Sequence, residues 1–242
     1  MGLIKGGRPY YGESIGILIL DTRFPRIPGD IGNATTFNFP VRLKVVKGAS
    51  VNRVVRQGDP SLIEPFIKAA RELENEGVRA ITTSCGFLVL FQDQLAKAVN
   101  IPVFTSNLLM IPLVYKLTGR RVGIITACSE TLTEKHLKAA NVDESIPIAI
   151  AGLENQQEFK RVILENSDSM DPDKIEKEVV EVATRLVEKY PDIGSILLEC
   201  HNLAPYSAAV QEATNLPVFD IVSFANFVHD SVVKRKTFTG FL

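Results

Sequence analysis

Two cysteines occupy matching settings in this sequence. Cys85 closes the run "VRAITTSC" and Cys200 closes "IGSILLEC". Set one against the other and their surroundings align at a fixed offset. Ile81 falls with Ile196, Leu88 with Leu203 and Ala98 with Ala213, and Asn-Ile-Pro-Val-Phe (100–104) meets Asn-Leu-Pro-Val-Phe (215–219) without a gap. Taken singly, a cysteine after an apolar run is a small buried hydrophobe. Taken as a pair, both lie where a parallel strand ends and a helix begins, the edge of an open α/β sheet that binds ligands. A helix N-terminus there is expected to lower a thiol's pKa. Two related halves facing each other place the thiols on opposite walls of one cleft. One thiolate can then take a proton from one face of a carbon while the other thiol delivers a proton to the opposite face, inverting a stereocentre. The two thiols titrate as a pair. A carbanion beside a carboxylate also needs donors aimed at the developing charge. The backbone N–H groups after Cys85 and Cys200, and the hydroxyls of Thr83, Ser84 and Thr126, are placed for that.

The elements that must carry these residues alternate. "SIGILIL" (14–20), "VRAITTS" (78–84), "IPVFTS" (101–106), "RVGIIT" (121–126), "PIAIAG" (147–152), "IGSILLE" (193–199) and "LPVFD" (216–220) read as strands. Between them "DPSLIEPFIKAARELENEG" predicts an amphipathic helix with Asp59 as N-cap, Pro60 at the first position and Gly77 as the stop. A second long helix starts at Asp171-Pro172, and Thr131 with Glu134 predicts a capping box. The expectation is an α/β fold of two pseudo-symmetric halves, 14–118 and 119–220. Each is a mainly parallel sheet flanked by helices, with the active site in the cleft between them. Residues 221–242 form a C-terminal helix and tail, part of it crossing back to the first half. Cys128 has Asp21 at its equivalent place in the first half and reads as packing. The Gly/Pro/Asn-rich segment 20–41 reads as a long loop at the cleft mouth, where Arg23 and Arg26 either clamp a carboxylate or lie in a solvated loop or dimer contact. His136 and His229 read as structural or solvated.

Composition removes several classes. The 242 residues are 45% apolar and 23% charged, enough for a sizeable core, and the formal net charge of −1 offers nucleic acid no basic surface. The cluster Lys234-Arg235-Lys236 reads as a solvated helix end. No apolar run is long enough to span a membrane. "MGLIKGGRPYYGE" has no apolar core of a signal peptide, Gly2 lacks the Ser or Thr that myristoylation wants at position 6, and "NAT" (33–35) reads as a chance sequon. Three scattered cysteines with no CxxC fit a cytoplasmic protein with reduced thiols and no metal site.

The half-sites "TTSCGFL" and "LLECHNLAP" resemble the aspartate/glutamate racemase superfamily from about Ser14 to Phe224. That resemblance implies two pseudo-symmetric α/β halves with one catalytic cysteine each, Cys85 and Cys200, and no pyridoxal phosphate or other cofactor. Asp21-Thr22 look like the family's Asp-Ser at the first strand end, and Thr126 like its Thr. These matches imply that Asp21, Thr22 and Thr126 orient substrate or tune the thiols, and the neighbours of the two cysteines, Thr83, Ser84, Gly86, Phe87, His201 and Asn202, complete the candidate substrate set. The chain departs from the family at both cysteines. Amino-acid racemases usually carry Cys-Asn-Thr at the first site, where this chain has Cys85-Gly86-Phe87. At the second they often carry Cys-Thr-His, where it has Cys200-His201-Asn202. Moving the histidine one place swings its ring by about 100° on a helix, so His201 reads equally as a histidine bonded to backbone or solvent. The expected activity is racemisation of a small carboxylate such as an acidic amino acid, by a homodimer. Hydantoin- or allantoin-type racemases, another isomerase or decarboxylase of the superfamily, and a non-catalytic small-molecule binder are the alternatives.

Overall fold

The computed structural model describes residues 6–234. Gly2, the tail beyond 234 and Arg235 and Lys236 of the basic cluster lie outside the described residues. The chain opens with β1 (Ile15–Leu20), buried along its whole length. After a long loop comes β2 (Val41–Val46). Asp59 accepts from the Ser61 amide and starts a 3-10 turn that runs into α1 (Ile63–Glu76), which stops at Gly77 in the left-handed region at φ 102°. Then follow β3 (Ala80–Thr83), α2 (Gln92–Ala98), β4 (Val103–Phe104) and α3 (Ile111–Thr118). The second half repeats the pattern with β5 (Arg121–Thr126), α4 (Glu134–Ala139), β6 (Ile148–Gly152), α5 (Gln157–Phe159), α6 (Pro172–Lys189), β7 (Ile193–Leu198), α7 (Ser207–Thr214) and β8 (Val218–Phe219). The last described helix is α8 (Ile221–Val232).

Each half holds one four-stranded sheet with every neighbouring pair parallel. The orders are β2-β1-β3-β4 and β6-β5-β7-β8, the same order twice. The registers repeat as well. Ile15 pairs with Ala80 and Val122 with Ser195. At the strand ends the Ser84 amide donates to the Leu18 carbonyl and the Glu199 amide to the Ile125 carbonyl, at 2.9 and 2.8 Å. Cys85 and Cys200 therefore leave their sheets at one and the same position of a duplicated scaffold. One large core fills the space around and between the sheets, while Ile221 and Ala225 of α8 pack on Ile15, Ile17 and Phe104 of the first sheet.

Two sequence expectations change. "VRLKVV" is the edge strand β2, the counterpart of β6, so the loop spans 21–40 with one 3-10 turn at Ala34–Thr36. Helix α4 is capped by Thr133, which forms a capping box with His136, rather than by Thr131 and Glu134. The Thr131 hydroxyl instead contacts the Cys128 carbonyl at 3.4 Å. Each half also carries a π-helical turn after its edge strand, Asn52–Arg56 and Lys160–Leu164. Such turns are uncommon and gather at functional sites.

Candidate active site

The C-terminal ends of both sheets open on a single narrow cleft. Cys85 and Cys200 line it together, with Ser84, Gly86, Phe87 and Asn202. Its walls are mostly apolar. Val51 and Val55 come from the first π-helical segment and Ile163 and Leu164 from the second, with Phe24 from the long loop. Of the described residues lining it, Arg26 alone carries a full charge at neutral pH. Arg26 lies over the Phe24 ring at 4.7 Å. It donates to Asp30 at 2.8 Å and to Thr22 Oγ1 at 3.2 Å. Asp30, 3% exposed, also accepts from the Gly32 amide at 2.7 Å and from Asn202 Nδ2 at 2.8 Å. This chain of bonds ties the first half's loop to the turn behind Cys200. Asp30 carried no signal of this in the sequence beyond its place in the loop.

Apart from Ser84, whose hydroxyl is engaged with backbone, the other expected site residues lie behind or away from the cleft. Asp21 turns outward, accepting from the Gly48 amide at 3.1 Å and facing Lys47 at 3.7 Å. Arg23 is exposed beside Asp168 at 3.7 Å. Thr83 Oγ1 lies 2.7 Å from the Thr105 carbonyl and 2.9 Å from that of Cys85, bracing the turn. Ser84 Oγ accepts from the Leu20 amide at 2.9 Å. Thr126 Oγ1 donates to Glu199 at 2.6 Å. His201 is buried, with Nδ1 2.9 Å from the Thr83 carbonyl of the other half. A carbonyl only accepts, so that nitrogen carries the proton, and burial holds the ring neutral with its pKa down to about 3. His201 thus ties the halves together. His136 is buried rather than solvated and meets Phe87 edge-on at 5.0 Å, supporting that wall. His229 is also buried, bonded to Ser14 and stacked on Phe39. Cys128 belongs to the main core.

The thiols are not the low-pKa groups that a helix start suggests. Burial pushes Cys85 up to about 12, and the nearby Glu199 adds to that. The amides of Phe87 and Leu88 and the charge of Arg26 act the other way and lose. Each cysteine precedes a short 3-10 turn, Gly86–Phe91 or His201–Tyr206, rather than a long helix, and dehydration of the sulfur outweighs the few amides. Cys200 is also raised well above the usual thiol range, by burial first and then by Glu199, with Cys85 and Asp30 adding and the Asn202 amide opposing. Glu199 itself is fully buried and pushed up to about 7 by that burial, with Thr126 pulling down. Gly86 is needed because a Cβ there would overlap the Glu199 carboxylate and carbonyl oxygens.

A sequence profile described as Asp/Glu/hydantoin racemase matches residues 56–225, well over half of the chain. The chain belongs to that family. Among curated relatives, a dimethylsulfoniopropionate lyase of Durusdinium sp. clade D is 30% identical over 93% of this chain and 77% of its own length. Dimethylsulfoniopropionate lyase 7 of Emiliania huxleyi (strain CCMP1516) is 34% identical over 88% of this chain. This chain spans 65% of that relative's length. Among solved structures, arylmalonate decarboxylase superposes with a TM-score of 0.63 at 18% identity, covering 90% of this chain and 92% of that one. It shares the fold. The family is described by racemases while the curated relatives are named lyases, and membership alone does not choose between them. Among the described residues no helix is long and apolar enough to cross a membrane.

Proposed function

We propose that this protein is a lyase that removes the proton next to a carboxylate and expels a β-leaving group, with dimethylsulfoniopropionate as substrate. The make-up of the cleft carries this reading: two thiols, one guanidinium and apolar walls over a buried carboxyl group. A substrate with one carboxylate and one sulfonium matches that chemistry. The carboxylate meets Arg26, while the sulfonium methyls lie against Phe24, Phe87 and the valines of the first π-helical segment, where aromatic faces favour a cation. The substrate's positive charge also offsets the thiolate and Glu199. An acidic amino acid matches less well, since it brings two carboxylates to a cleft with one guanidinium among its described lining residues.

In this mechanism Cys85 is the base. It has the Phe87 and Leu88 amides and Arg26 on its side, whereas Cys200 faces Asp30 and Cys85. The Cys85 thiolate takes the proton α to the carboxylate. The electron pair forms the carbon–carbon double bond, the carbon–sulfur bond breaks, and dimethyl sulfide leaves with that bond's electrons. Acrylate remains and the thiol returns its proton to solvent. Cys200 stays a neutral donor on the opposite wall. The lyase names of the relatives support this reading.

Racemisation is the second reading, favoured by the equivalent positions of the two thiols in the repeat. The environments of those thiols differ, however: Ser84 precedes one and Glu199 the other, and Gly86 follows one and His201 the other. A racemase that swaps acid and base is served better by matched sites. The experiment gives purified protein dimethylsulfoniopropionate and reads headspace dimethyl sulfide, with aspartate and glutamate in D2O read for loss of the α-proton signal. Dimethyl sulfide release, abolished by Cys85→Ser, is expected. Amino-acid exchange without dimethyl sulfide would replace the lyase reading with the racemase one.

A further inference from the structure

Cys200 has a side-chain partner for its hydrogen. Its Sγ lies 3.8 Å from Asn202 Oδ1, the long contact that a large, weak S–H donor makes. The two ends of an amide side chain have the same shape, so what bonds the far end decides which way Asn202 faces. Asp30 bonds it. Asn202 Nδ2 donates to Asp30 Oδ2 at 2.8 Å, while Oδ1 of the same carboxylate accepts from Arg26 and from the Gly32 amide at 2.8 and 2.7 Å. A carboxylate has acceptors only, so Asn202 must give it the NH2 group and turn its oxygen toward Cys200. That oxygen cannot donate, and so it favours the S–H form of Cys200 over the thiolate. Asp30 is itself held fast. It is buried, and its backbone carbonyl accepts from the Thr36 hydroxyl at 2.7 Å and the Asn33 amide at 3.0 Å. The first half has no equivalent. The offset that sets Cys85 against Cys200 sets Phe87 against Asn202, and a phenyl ring offers a thiol no carbonyl.

We infer that Asp30 is a positioning residue that, through Asn202, fixes Cys200 as the S–H member of the thiol pair and leaves Cys85 as the one that ionises. The same carboxylate holds Arg26, so one buried group sets both the cation of the cleft and the direction of proton transfer. The charges near Cys200 agree with this order. Glu199 and Asp30 oppose its thiolate, and the Asn202 backbone amide favours it. The catalytic meaning rests on the lyase reading. Elimination needs one base, whereas a racemase that swaps acid and base needs both thiols to ionise.

The test uses no substrate, so its failure is separate from failure of the lyase reading. Iodoacetamide alkylation of Cys85 and Cys200 is followed by peptide mass spectrometry across pH. In wild type Cys85 is expected to react faster than Cys200. Asp30→Asn lets residue 30 donate to Asn202, which then turns its NH2 group to the sulfur. Cys200 is expected to react roughly tenfold faster at about pH 8.5, and Cys85 to change far less. Asp30→Asn also removes a charge, and an Asn202→Ala background separates the two causes. There the gain from Asp30→Asn is expected to fall below about twofold. A gain that survives in full means that Asp30 acts by charge alone and overturns the inference, as does Asp30→Asn with no gain. If Asp30→Asn loses its circular dichroism, Asn202→Leu decides. The infrared S–H band of Cys200, assigned by difference against Cys200→Ser, is expected at lower frequency in wild type than in Asn202→Leu, because a hydrogen bond softens the S–H stretch. Equal frequencies overturn the inference.

Discussion

Gly86 shows how closely single residues are fitted here. Its α-carbon lies against the Glu199 carboxylate and carbonyl, so Gly86→Ala forces an overlap between the two halves at the cysteine turn. Overpacking of this kind costs about 1–3 kcal/mol. In a Glu199→Ala background the carboxylate is gone but the residue-199 carbonyl remains, so only part of that cost is expected to vanish. Urea unfolding of the four proteins of this cycle measures the coupling, and additive effects would show that Gly86 is not held by Glu199. The cysteines were legible in the sequence because the repeat gave each one a counterpart. Glu199 was not, because its counterpart Ser84 shares neither charge nor length and the fixed-offset comparison shows only a mismatch. The burial that raises the thiols was equally invisible, since it depends on walls brought in by Phe24, Phe87 and Ile163 from distant parts of the chain.

At the level of elements, the strands with buried, continuous apolar runs could be read directly. β1 and β7 are buried at every position. β2 could not, because its residues alternate between half-buried and exposed on a sheet edge, and Leu43 and Val45 are outward. The repeat held the missing information, since Val41 pairs with Ile15 as Ile148 pairs with Val122. The start of α4 was placed two residues early because Thr131 and Glu134 match a capping pattern that Thr133 and His136 satisfy in the folded chain. Removing an N-cap hydroxyl costs about 1 kcal/mol. Thr133→Ala is therefore expected to lower stability by about that much, and Thr131→Ala, whose hydroxyl makes one long contact, by less than about 0.5 kcal/mol. Equal losses in thermal unfolding would return the cap to Thr131. The stake is functional, since His136 of the same box supports the Phe87 wall of the cleft.

Across the whole molecule, the seam between the two halves is where burial and charge conflict, and stability should carry that record. The Glu199 carboxyl releases its proton near 4.5 when unfolded and near 7 when folded. Between those values the folded chain binds the extra proton, so this group's contribution is full below 4.5 and is lost as pH rises through about 7. The loss corresponds to about 3 kcal/mol. His201 and His136 run the other way. They titrate near 6.5 unfolded but are held down to about 3 and about 4 in the fold. The unfolded chain binds those protons first, so what the histidines contribute is present above 6.5 and is lost as pH falls toward those lower values. Glu199→Gln removes only the first effect, because Gln can keep the contact with Thr126 but cannot ionise. The variant's advantage in urea unfolding is expected to widen by about 2–3 kcal/mol between about pH 5 and about pH 8, while the acid side of both curves stays parallel. A gap that does not change with pH would mean that Glu199 enters and leaves the folded state with the same charge, and that the seam tolerates a buried carboxylate without strain.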